Sequence, residues 1–565
     1  MGYSNEKNVQ MLICMLKHYN IKNIIVSPGT TNVSFVASVQ QDSFFNLFSA
    51  VDERSAAFMA CGMAKKTNAP VVITCTGATA SRNYLPGLTE AYYSCLPIIA
   101  VTGTRNINQI GHNIDQVIDR TVQYHDVAFT SVTIPPVGSD DTCWEANIKL
   151  NKAFVELKKH GLPIHINLTT QYSTDFSVEK LPQTRIIECY LENEQFPDLN
   201  QKKVAILIGN HSVFTESLTE KIERFCEIFD SAVLFDATSN YRGKYGIPYS
   251  LLTFQENGFS CLRDFDVVLY IGSVSAASFS LGKEYWRINP DGEIRDPYRK
   301  TTKVFCMDET VFFEKYTAIE STTKANVFEE LKNIYLRVYQ KANKKIDQMP
   351  LSSLWIVNEI KKSVPDRSIV HYGILNSVRC ANFFYTKKTV AEYCNTGGFG
   401  IDGCLSSAIG SALNNPERVC YCVLGDLAFF YDINSILLED IPANLRVIIA
   451  NNGIGGEFKN KYNQAQRSGL GEKANPYIAA DGHFRLCNLK LAWEDKRVTY
   501  AKASSKQEFD GLKDNFFSPT VSKPMILEVT IDSHKDVSVL PELQKLNDDR
   551  KFLLKSKIKK VLKRV

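Results

Sequence analysis

The sequence predicts an α/β protein with three doubly wound domains, each built on a parallel sheet. Short apolar runs alternate with segments of helix length along the 565 residues, a pattern typical of parallel sheets covered by helices. Two polar stretches, residues 178–203 and 340–350, interrupt the pattern and are predicted to connect the domains. The length also suits three domains of about 100–200 residues each.

Each predicted domain contains several apolar runs that end in turn residues. Residues 1–180 contain NIIVSPG, PVVITCTG and LPIIAVTG; residues 195–340 contain KVAILIGN, SAVLFDA, DVVLYIGS and KVFCMDE; residues 350–540 contain SIVHYG, VCYCVLGDL, LRVIIANNG and PMILEVTI. The first and third groups are similar enough to suggest one shared architecture. Residues 541–565 form a basic tail, for which a docked or solvated terminal helix is the favoured interpretation over a membrane contact.

Composition excludes several classes of protein. A net charge of +4 is nearly balanced for a chain of this length, so bulk charge does not indicate a nucleic-acid partner. We find no signal-peptide pattern and no stretch of about 18 apolar residues, and we expect a cytoplasmic protein without a membrane span. Cys61, Cys75, Cys95, Cys420 and Cys422 lie in apolar runs without zinc spacing, which predicts reduced, mostly buried thiols.

The most informative motif is a pair of polar strand ends in the third block. Gly425-Asp426 follows one apolar run, and Asn451-Asn452 follows the next. Ligands of open α/β sheets bind beyond the carboxyl ends of the strands, and Mg²⁺ prefers oxygen ligands that it can share with a phosphate. Gly425 would leave room for that phosphate. The alternative is an ordinary βαβ unit with polar loop residues.

A second motif lies in the first block. Glu53 follows an apolar run and precedes a helix-length segment of small residues, and the next apolar run ends in Thr74-Cys75-Thr76-Gly77. A partly desolvated carboxyl group can share a proton with a cofactor ring. Taken alone, Glu53 is better interpreted as an acid that stabilises a helix start.

Together these motifs resemble the thiamine diphosphate (ThDP)-dependent enzymes that act on 2-oxo acids. SPGTTN (27–32), DER (52–54), EYWRINPDGEIRDP (284–297), NTGGFGIDG (395–403) and GDLAFFYDIN (425–434) are similar to one branch, the 2-succinyl-5-enolpyruvyl-6-hydroxy-3-cyclohexene-1-carboxylate synthases of menaquinone biosynthesis. The resemblance implies pyrimidine-binding, central and diphosphate-binding domains. It also implies a homodimer or homotetramer, with ThDP held between the first domain of one subunit and the third of another.

The resemblance also implies roles for single residues. Asp426, Asn452 and the carbonyl group of Ile454 would hold Mg²⁺, and Glu53 would activate the aminopyrimidine of ThDP. Leu427 stands where the family usually has glycine. The other implied residues are Gln116 near the reacting carbon; Thr76, Gly77, Ile401, Gly425, Leu427 and Gly455 at the cofactor; and Thr30, Thr31, Arg105, Ser377, Thr396 and Phe458 at the substrate.

Three arginines of the menaquinone synthase are missing. They fall on Thr31, Thr396 and a position near Ala381, whereas Arg105 is kept and Arg379 lies two residues from a lost position. Arginine binds carboxylates well because its fork donates two parallel hydrogen bonds. The menaquinone synthase acts on 2-oxoglutarate and isochorismate, which carry several carboxylates, so these losses predict changed substrates.

The resulting prediction is a ThDP- and Mg²⁺-dependent carboligase. It would decarboxylate a 2-oxo acid and transfer the acyl-anion equivalent to an acceptor carbonyl or alkene different from that of the menaquinone enzyme. The alternatives are the menaquinone synthase itself, a simple 2-oxo acid decarboxylase and a non-catalytic ThDP-binding protein. An NAD- or FAD-dependent oxidoreductase is disfavoured because no GxGxxG motif is present.

Overall fold

The computed structural model describes residues 2–277, 279–318, 325–461, 463–470, 477–478, 480 and 497–547. The chain divides into two units. The first unit consists of Met1–Phe196 and Asn289–Met307, and the second consists of Pro197–Ile288 and Asp308–Val565.

The first unit alternates strands and helices from its beginning. Its strands are β1 (Asn23–Val26), β2 (Asn46–Ser49), β3 (Val71–Cys75), β4 (Ile98–Thr104), β5 (Thr130–Ile134), β6 (Ile164–Thr169), β7 (Glu188–Tyr190) and β13 (Thr301–Phe305). Its helices are α1 (Lys7–His18), α2 (Val33–Gln40), α3 (Glu53–Thr67), α4 (Thr79–Asn83), α5 (Leu85–Tyr93) and α6 (Asp140–His160).

The main sheet of the first unit is parallel throughout, in the order β2-β1-β3-β4-β6-β5. The central strands are fully buried, as expected for a sheet covered on both faces. β2 lies on one side of β1 and β3 on the other, so the strand order reverses direction between β1 and β3. This is a topological switch point, where α/β sheets open a ligand-binding crevice.

The second unit has the same alternation. Its strands are β8 (Val204–Ile208), β9 (Ala232–Phe235), β10 (Gly246–Pro248), β11 (Val267–Ile271), β12 (Glu284–Ile288), β14 (Ile369–Tyr372), β15 (Ala391–Cys394), β16 (Cys420–Gly425), β17 (Leu445–Asn451), β18 (Thr499–Ala503) and β19 (Met525–Thr530). Its helices are α7 (Glu216–Phe229), α8 (Ser250–Thr253), α9 (Glu309–Thr317), α10 (Val327–Gln348), α11 (Ser353–Ser363), α12 (Asn376–Ala381), α13 (Cys404–Asn414), α14 (Asp426–Tyr431), α15 (Gln464–Arg467), α16 (Lys506–Phe516) and α17 (Ser533–Leu543).

Two parallel arrays organise the second unit. One has the order β10-β9-β8-β11-β12, and the other has the order β15-β14-β16-β17-β19-β18. The second order repeats that of the main sheet in the first unit, strand for strand. The predicted α/β fold class with parallel sheets is therefore confirmed, and so is the suggestion that the first and third blocks share an architecture.

Some local predictions need correction. The stretch 178–203 contains β7, and residues 340–348 form the end of α10 instead of a connection. The segment after Gly425 is a six-residue helix followed by a 3₁₀ turn, Ile433–Leu437. Residues 289–307 belong to the first unit, although the sequence places them in a central domain. The three domain boundaries remain predictions.

Most of the cysteines named above are buried and unpaired, as the sequence predicts. Every cysteine in the described ranges is free, and Cys61, Cys75, Cys420 and Cys422 are buried, whereas Cys95 is exposed at a positive φ of 50°. None of the described helices combines the length and apolarity needed to cross a membrane. The basic tail from residue 548 onward lies outside the described residues.

Candidate active site

The first half of the candidate site is the carboxyl edge of the sheet in the first unit. Thr31, which follows β1, is 3% exposed. Its Oγ1 lies 2.5 Å from Oγ1 of Thr76, accepts a hydrogen bond from the Gly77 N–H at 3.3 Å and donates to the Gly103 carbonyl at 3.0 Å. These contacts join the ends of β1, β3 and β4 at the switch point. Thr30, by contrast, is exposed.

Glu53 lies at the same edge as the first residue of α3. The side chain of Asp52 caps this helix by accepting from the Ser55 N–H, so Glu53 does not serve as the cap. Its half-buried carboxylate accepts a hydrogen bond from Asn83 Nδ2 at 3.1 Å. Burial raises the pKa of the Cys75 thiol to about 12, and the nearby charge of Glu53 adds to that rise. Glu53 therefore lies near the end of β3, where the resemblance requires it.

Arg105 and Gln116 lie in the loop after β4. Arg105 donates from Nε to the Tyr172 hydroxyl at 2.8 Å and forms an ion pair with Asp115 at 3.2 Å. This pair ties the loop beside Gln116 to the end of β4. Gln116 is exposed and has a positive φ of 60°, a conformation that costs energy in a residue with a side chain and often marks a functional loop.

One residue at this edge has no counterpart among the sequence-based predictions. Arg120 is 1% exposed, although Asp119 and Thr121 on either side of it are exposed. Within the described residues, its Nε and Nη1 have no hydrogen-bond partner. A Cβ built on Gly77 would lie 2.8 Å from its Nη2. Nothing in the local pattern VIDRTVQ indicates burial, so only the fold reveals this guanidinium.

The second half of the candidate site lies in the second unit, at the ends of β16 and β17. Asp426 is 2% exposed, and its Oδ2 accepts a hydrogen bond from the Gly453 N–H at 3.0 Å. Asn452 Oδ1 accepts from the Ile454 N–H at 3.2 Å, and its Nδ2 donates to Asp536 at 2.8 Å. The oxygens of Asp426 and Asn452 therefore meet at one turn, 453–454, as the motif predicts.

Two glycines shape this half. A Cβ built on Gly425 would meet no atom within 4 Å, so the space in front of its backbone is open, as a phosphate would require. A Cβ built on Gly456 would lie 2.8 Å from Asn376 Nδ2 and 3.4 Å from Asn452 Nδ2. Gly456 thus permits the close approach of the loops after β14 and β17. Gly455 is buried next to it.

The remaining predicted residues surround these strand ends. Ser377 is buried in α12, whereas Ile401, Leu427 and Phe458 are half-buried. Thr396 is 2% exposed and accepts a hydrogen bond from Asn210 Nδ2 at 2.9 Å, so its hydroxyl already has a protein partner.

A cavity of about 130 Å³ adjoins this half, lined by Asn376, Arg379, Gly456 and Asp536 among others. Arg379 faces Glu457 at 2.8 Å.

The described residues contain no cluster of three or more His, Cys, Asp or Glu side chains suited to a metal. The predicted set combines one carboxylate, one amide oxygen and one backbone carbonyl. That donor set suits a hard cation that completes its shell with phosphate and water. The buried Asp426 and the open face of Gly425 therefore fit a Mg²⁺-bound diphosphate.

Part of this chain matches a known protein family. Residues 7–123 match the family model described as thiamine pyrophosphate enzyme, N-terminal TPP binding domain. This chain resembles the ThDP-dependent enzymes. The match covers α1 to the loop of Arg120, and hence the whole edge that carries Glu53, Thr76 and Gly77. The resemblance supports a ThDP-dependent enzyme.

Curated relatives extend the similarity to nearly the whole chain. A protein of Bacteroides thetaiotaomicron is 26% identical over 96% of this chain and 98% of its own length. One of Bacteroides fragilis is 25% identical over 96% and 99%, and one of Flavobacterium johnsoniae is 27% identical over 79% and 83%. All three are named 2-succinyl-5-enolpyruvyl-6-hydroxy-3-cyclohexene-1-carboxylate synthase.

These names overturn the prediction of changed substrates. That prediction rested on arginines lost at Thr31 and Thr396, but the relatives consistently carry the name of the menaquinone-pathway synthase. The error has a physical reason. The prediction compared arginines by sequence position alone, and that comparison overlooks charged side chains from other segments, such as the Arg120 guanidinium that faces Gly77.

Proposed function

We propose that this chain is a 2-succinyl-5-enolpyruvyl-6-hydroxy-3-cyclohexene-1-carboxylate synthase that uses ThDP and Mg²⁺. Its substrates would be 2-oxoglutarate and isochorismate, and carbon dioxide would be the second product. The observation that carries the proposal is near full-length similarity to synthases of that name. The two polar strand edges described above support it independently.

In the second unit, Asp426, Asn452 and the carbonyl group of Ile454 would hold Mg²⁺ and, through it, the diphosphate. Gly425 would let the phosphate approach the backbone, because no atom occupies the place of a side chain there. The hydrogen bond from the Gly453 N–H holds the Asp426 carboxylate in position. Asp536, which accepts from Asn452 Nδ2, would orient that amide so that its oxygen faces the metal.

In the first unit, Glu53 would hold a proton against a ring nitrogen of the aminopyrimidine. Asn83 fixes the carboxylate by donating to Oε2, and its half-buried setting limits competition from water. When bound, ThDP supplies the nucleophilic carbon and the electron sink that decarboxylation of a 2-oxo acid requires. Gln116 and Arg105, in the adjoining loop, would contact the substrate.

We also propose a homo-oligomer in which each site combines the first unit of one copy with the second unit of another. Exposed apolar side chains near each half support this proposal, since such groups commonly mark interfaces. Phe58 and Met59 lie on α3 after Glu53, and Phe430 and Tyr431 lie on α14 after Asp426.

The activity test is an incubation with ThDP, Mg²⁺, 2-oxoglutarate and isochorismate, followed by mass spectrometry of the product and measurement of carbon dioxide. We expect one product molecule per carbon dioxide released, and little turnover when pyruvate replaces 2-oxoglutarate. Glu53→Gln should keep the fold and lose nearly all turnover. Wild-type protein that binds ThDP but forms no adduct would refute the proposed reaction.

The subunit arrangement has its own test. At a ThDP concentration that saturates only the wild-type site, Glu53→Gln and Asp426→Asn should each be nearly inactive alone. In a dimer of one copy of each, one of the two sites would combine the intact Glu53 with the intact Asp426. Random mixing should therefore restore about a quarter of wild-type activity. No recovery from a mixture that size measurements show to have exchanged subunits would contradict a shared site.

A further inference from the structure

Arg120 presents a buried positive charge at the edge of the sheet where the proposed substrate binds. Its side chain is 1% exposed, and in the described part of the chain neither Nε nor Nη1 has a hydrogen-bond partner. Buried charges in proteins are normally paired, because an isolated ion loses its hydration without compensation. An unpaired buried guanidinium therefore indicates that its anion comes from elsewhere.

The surroundings of Arg120 do not supply that anion. Within the described part of the chain, the charges that act on it are those of the Cys75 thiol and the Arg82 guanidinium, and no carboxylate is among them. Burial lowers the pKa of Arg120 to about 10, so the side chain stays charged near neutral pH.

The position of the guanidinium is that of a ligand-binding group. It faces Gly77, where a Cβ would lie 2.8 Å from Nη2 and 3.1 Å from Cζ, so a larger residue at this position would displace the guanidinium. The Gly77 N–H donates to Thr31 Oγ1, and Thr31 follows β1. Arg120 thus lies at the switch point between β1 and β3, where open α/β sheets receive their ligands.

We propose that Arg120 binds a carboxylate of the substrate and supplies charge that Thr31 does not. This proposal rests on the proposed function for the identity of the substrates, since both 2-oxoglutarate and isochorismate carry carboxylates. The planar fork of arginine can donate two parallel hydrogen bonds to one carboxylate. The chemistry is the same for either substrate, and the experiment distinguishes them.

The test compares the wild type with Arg120→Gln and Arg120→Lys in the presence of ThDP and Mg²⁺. Loss of a charged hydrogen-bonding group should raise the KM of one substrate about 10- to 100-fold, with a smaller change for the other. Arg120→Lys keeps the charge but not the fork, so its KM should lie between the values of the wild type and Arg120→Gln. A rise for 2-oxoglutarate alone assigns the contact to the donor, and a rise for isochorismate alone assigns it to the acceptor.

Arg299→Gln is the matched control. Arg299 is a half-exposed arginine of the same unit, paired with Asp141, and its loss changes the net charge equally. We expect wild-type KM values from this variant. An equal KM rise in Arg299→Gln and Arg120→Gln would show a general charge effect and overturn the proposal.

Two further measurements test the proposal without measuring turnover. Calorimetric titration with glutarate, a chain dicarboxylate, and with benzoate, a ring carboxylate, should show tighter binding of at least one by the wild type than by Arg120→Gln. Without ligand, Arg120→Gln should unfold at the wild-type temperature or above, because it removes an unpaired buried charge. If the wild type and Arg120→Gln bind each probe equally well, the proposal is refuted. A large drop in the unfolding temperature of Arg120→Gln with unchanged KM values would show a structural role and would also refute it. Wild-type binding of a probe without product formation would refute the proposed reaction alone.

Discussion

His165 gives the fold a pH dependence that can be worked out from its surroundings. The ring lies on β6 in the first unit, with Nε2 at 2.7 Å from Thr102 Oγ1 and Nδ1 at 2.8 Å from Ser131 Oγ. Burial lowers its pKa from 6.5 to about 3, and the positive charges of Arg120 and Arg82 contribute to the same direction. The folded protein therefore keeps this imidazole neutral under ordinary conditions.

The sign and size of the effect follow from linkage. The unfolded chain takes up a proton near pH 6.5, whereas the folded chain does not until about pH 3. The stability that the neutral ring contributes is complete above the unfolded pKa and is lost as the pH falls below it. Between about pH 7.5 and 5.5 the loss amounts to about 1.4 kcal/mol.

Hydrogen exchange of the β4 and β6 amides at these two pH values measures the opening free energy of this sheet. In His165→Gln, which can still bond both hydroxyl groups but does not titrate, the fall in stability should be about 1.4 kcal/mol smaller than in the wild type. His112→Gln, a change at an exposed histidine, should behave like the wild type. Equal pH dependence in the wild type and His165→Gln would refute the reasoning.

Three other substitutions test the packing and the cofactor site. Gly103→Ala would place a Cβ 2.3 Å from the Thr31 carbonyl oxygen; we expect a loss of about 1–3 kcal/mol in denaturant unfolding, and an unchanged midpoint would contradict the close approach. Glu392→Gln would leave the buried Lys361 ammonium without its carboxylate partner; thermal unfolding should show a loss of about 3–5 kcal/mol, whereas wild-type stability would mean that the pair is not needed. Asp426→Asn should weaken Mg²⁺-dependent ThDP binding about 10- to 100-fold in a calorimetric titration. Wild-type affinity in that variant would exclude Asp426 as a metal ligand.

The sequence predicts the buried strands better than the sheet edges. All the apolar runs quoted above become strands, because a strand buried on both faces reads as an unbroken apolar segment. β18 escaped prediction because only one of its five residues is buried and it carries no such run. β7 is only three residues long and lies within a polar stretch, so no apolar run marks it.

The candidate site divides in a similar way. Asp426 and Asn452 could be predicted because each directly follows an apolar run, so local order alone places them at one edge. Arg120 could not, since its burial depends on packing against Gly77, more than forty positions away in the chain. The substrate prediction was wrong because it counted arginines by sequence position alone, whereas the charges that other segments bring to a site are visible only in the fold.

The repeated strand order of the two six-stranded sheets has a consequence for how such a protein can change. The two sheets share one topology. The loops after β16 and β17 carry the oxygens and glycines of the proposed metal and diphosphate site, whereas those after β1, β3 and β4 carry hydroxyl groups, Arg105 and Gly77, which Arg120 faces. In the proposed enzyme, substitutions in the loops after β1 and β4 would alter which carboxylates are accepted without touching Asp426 or Asn452. In the proposed enzyme, specificity could therefore change in the loops after β1 and β4, while Glu53 in the same sheet and the diphosphate site in the other sheet keep the chemistry.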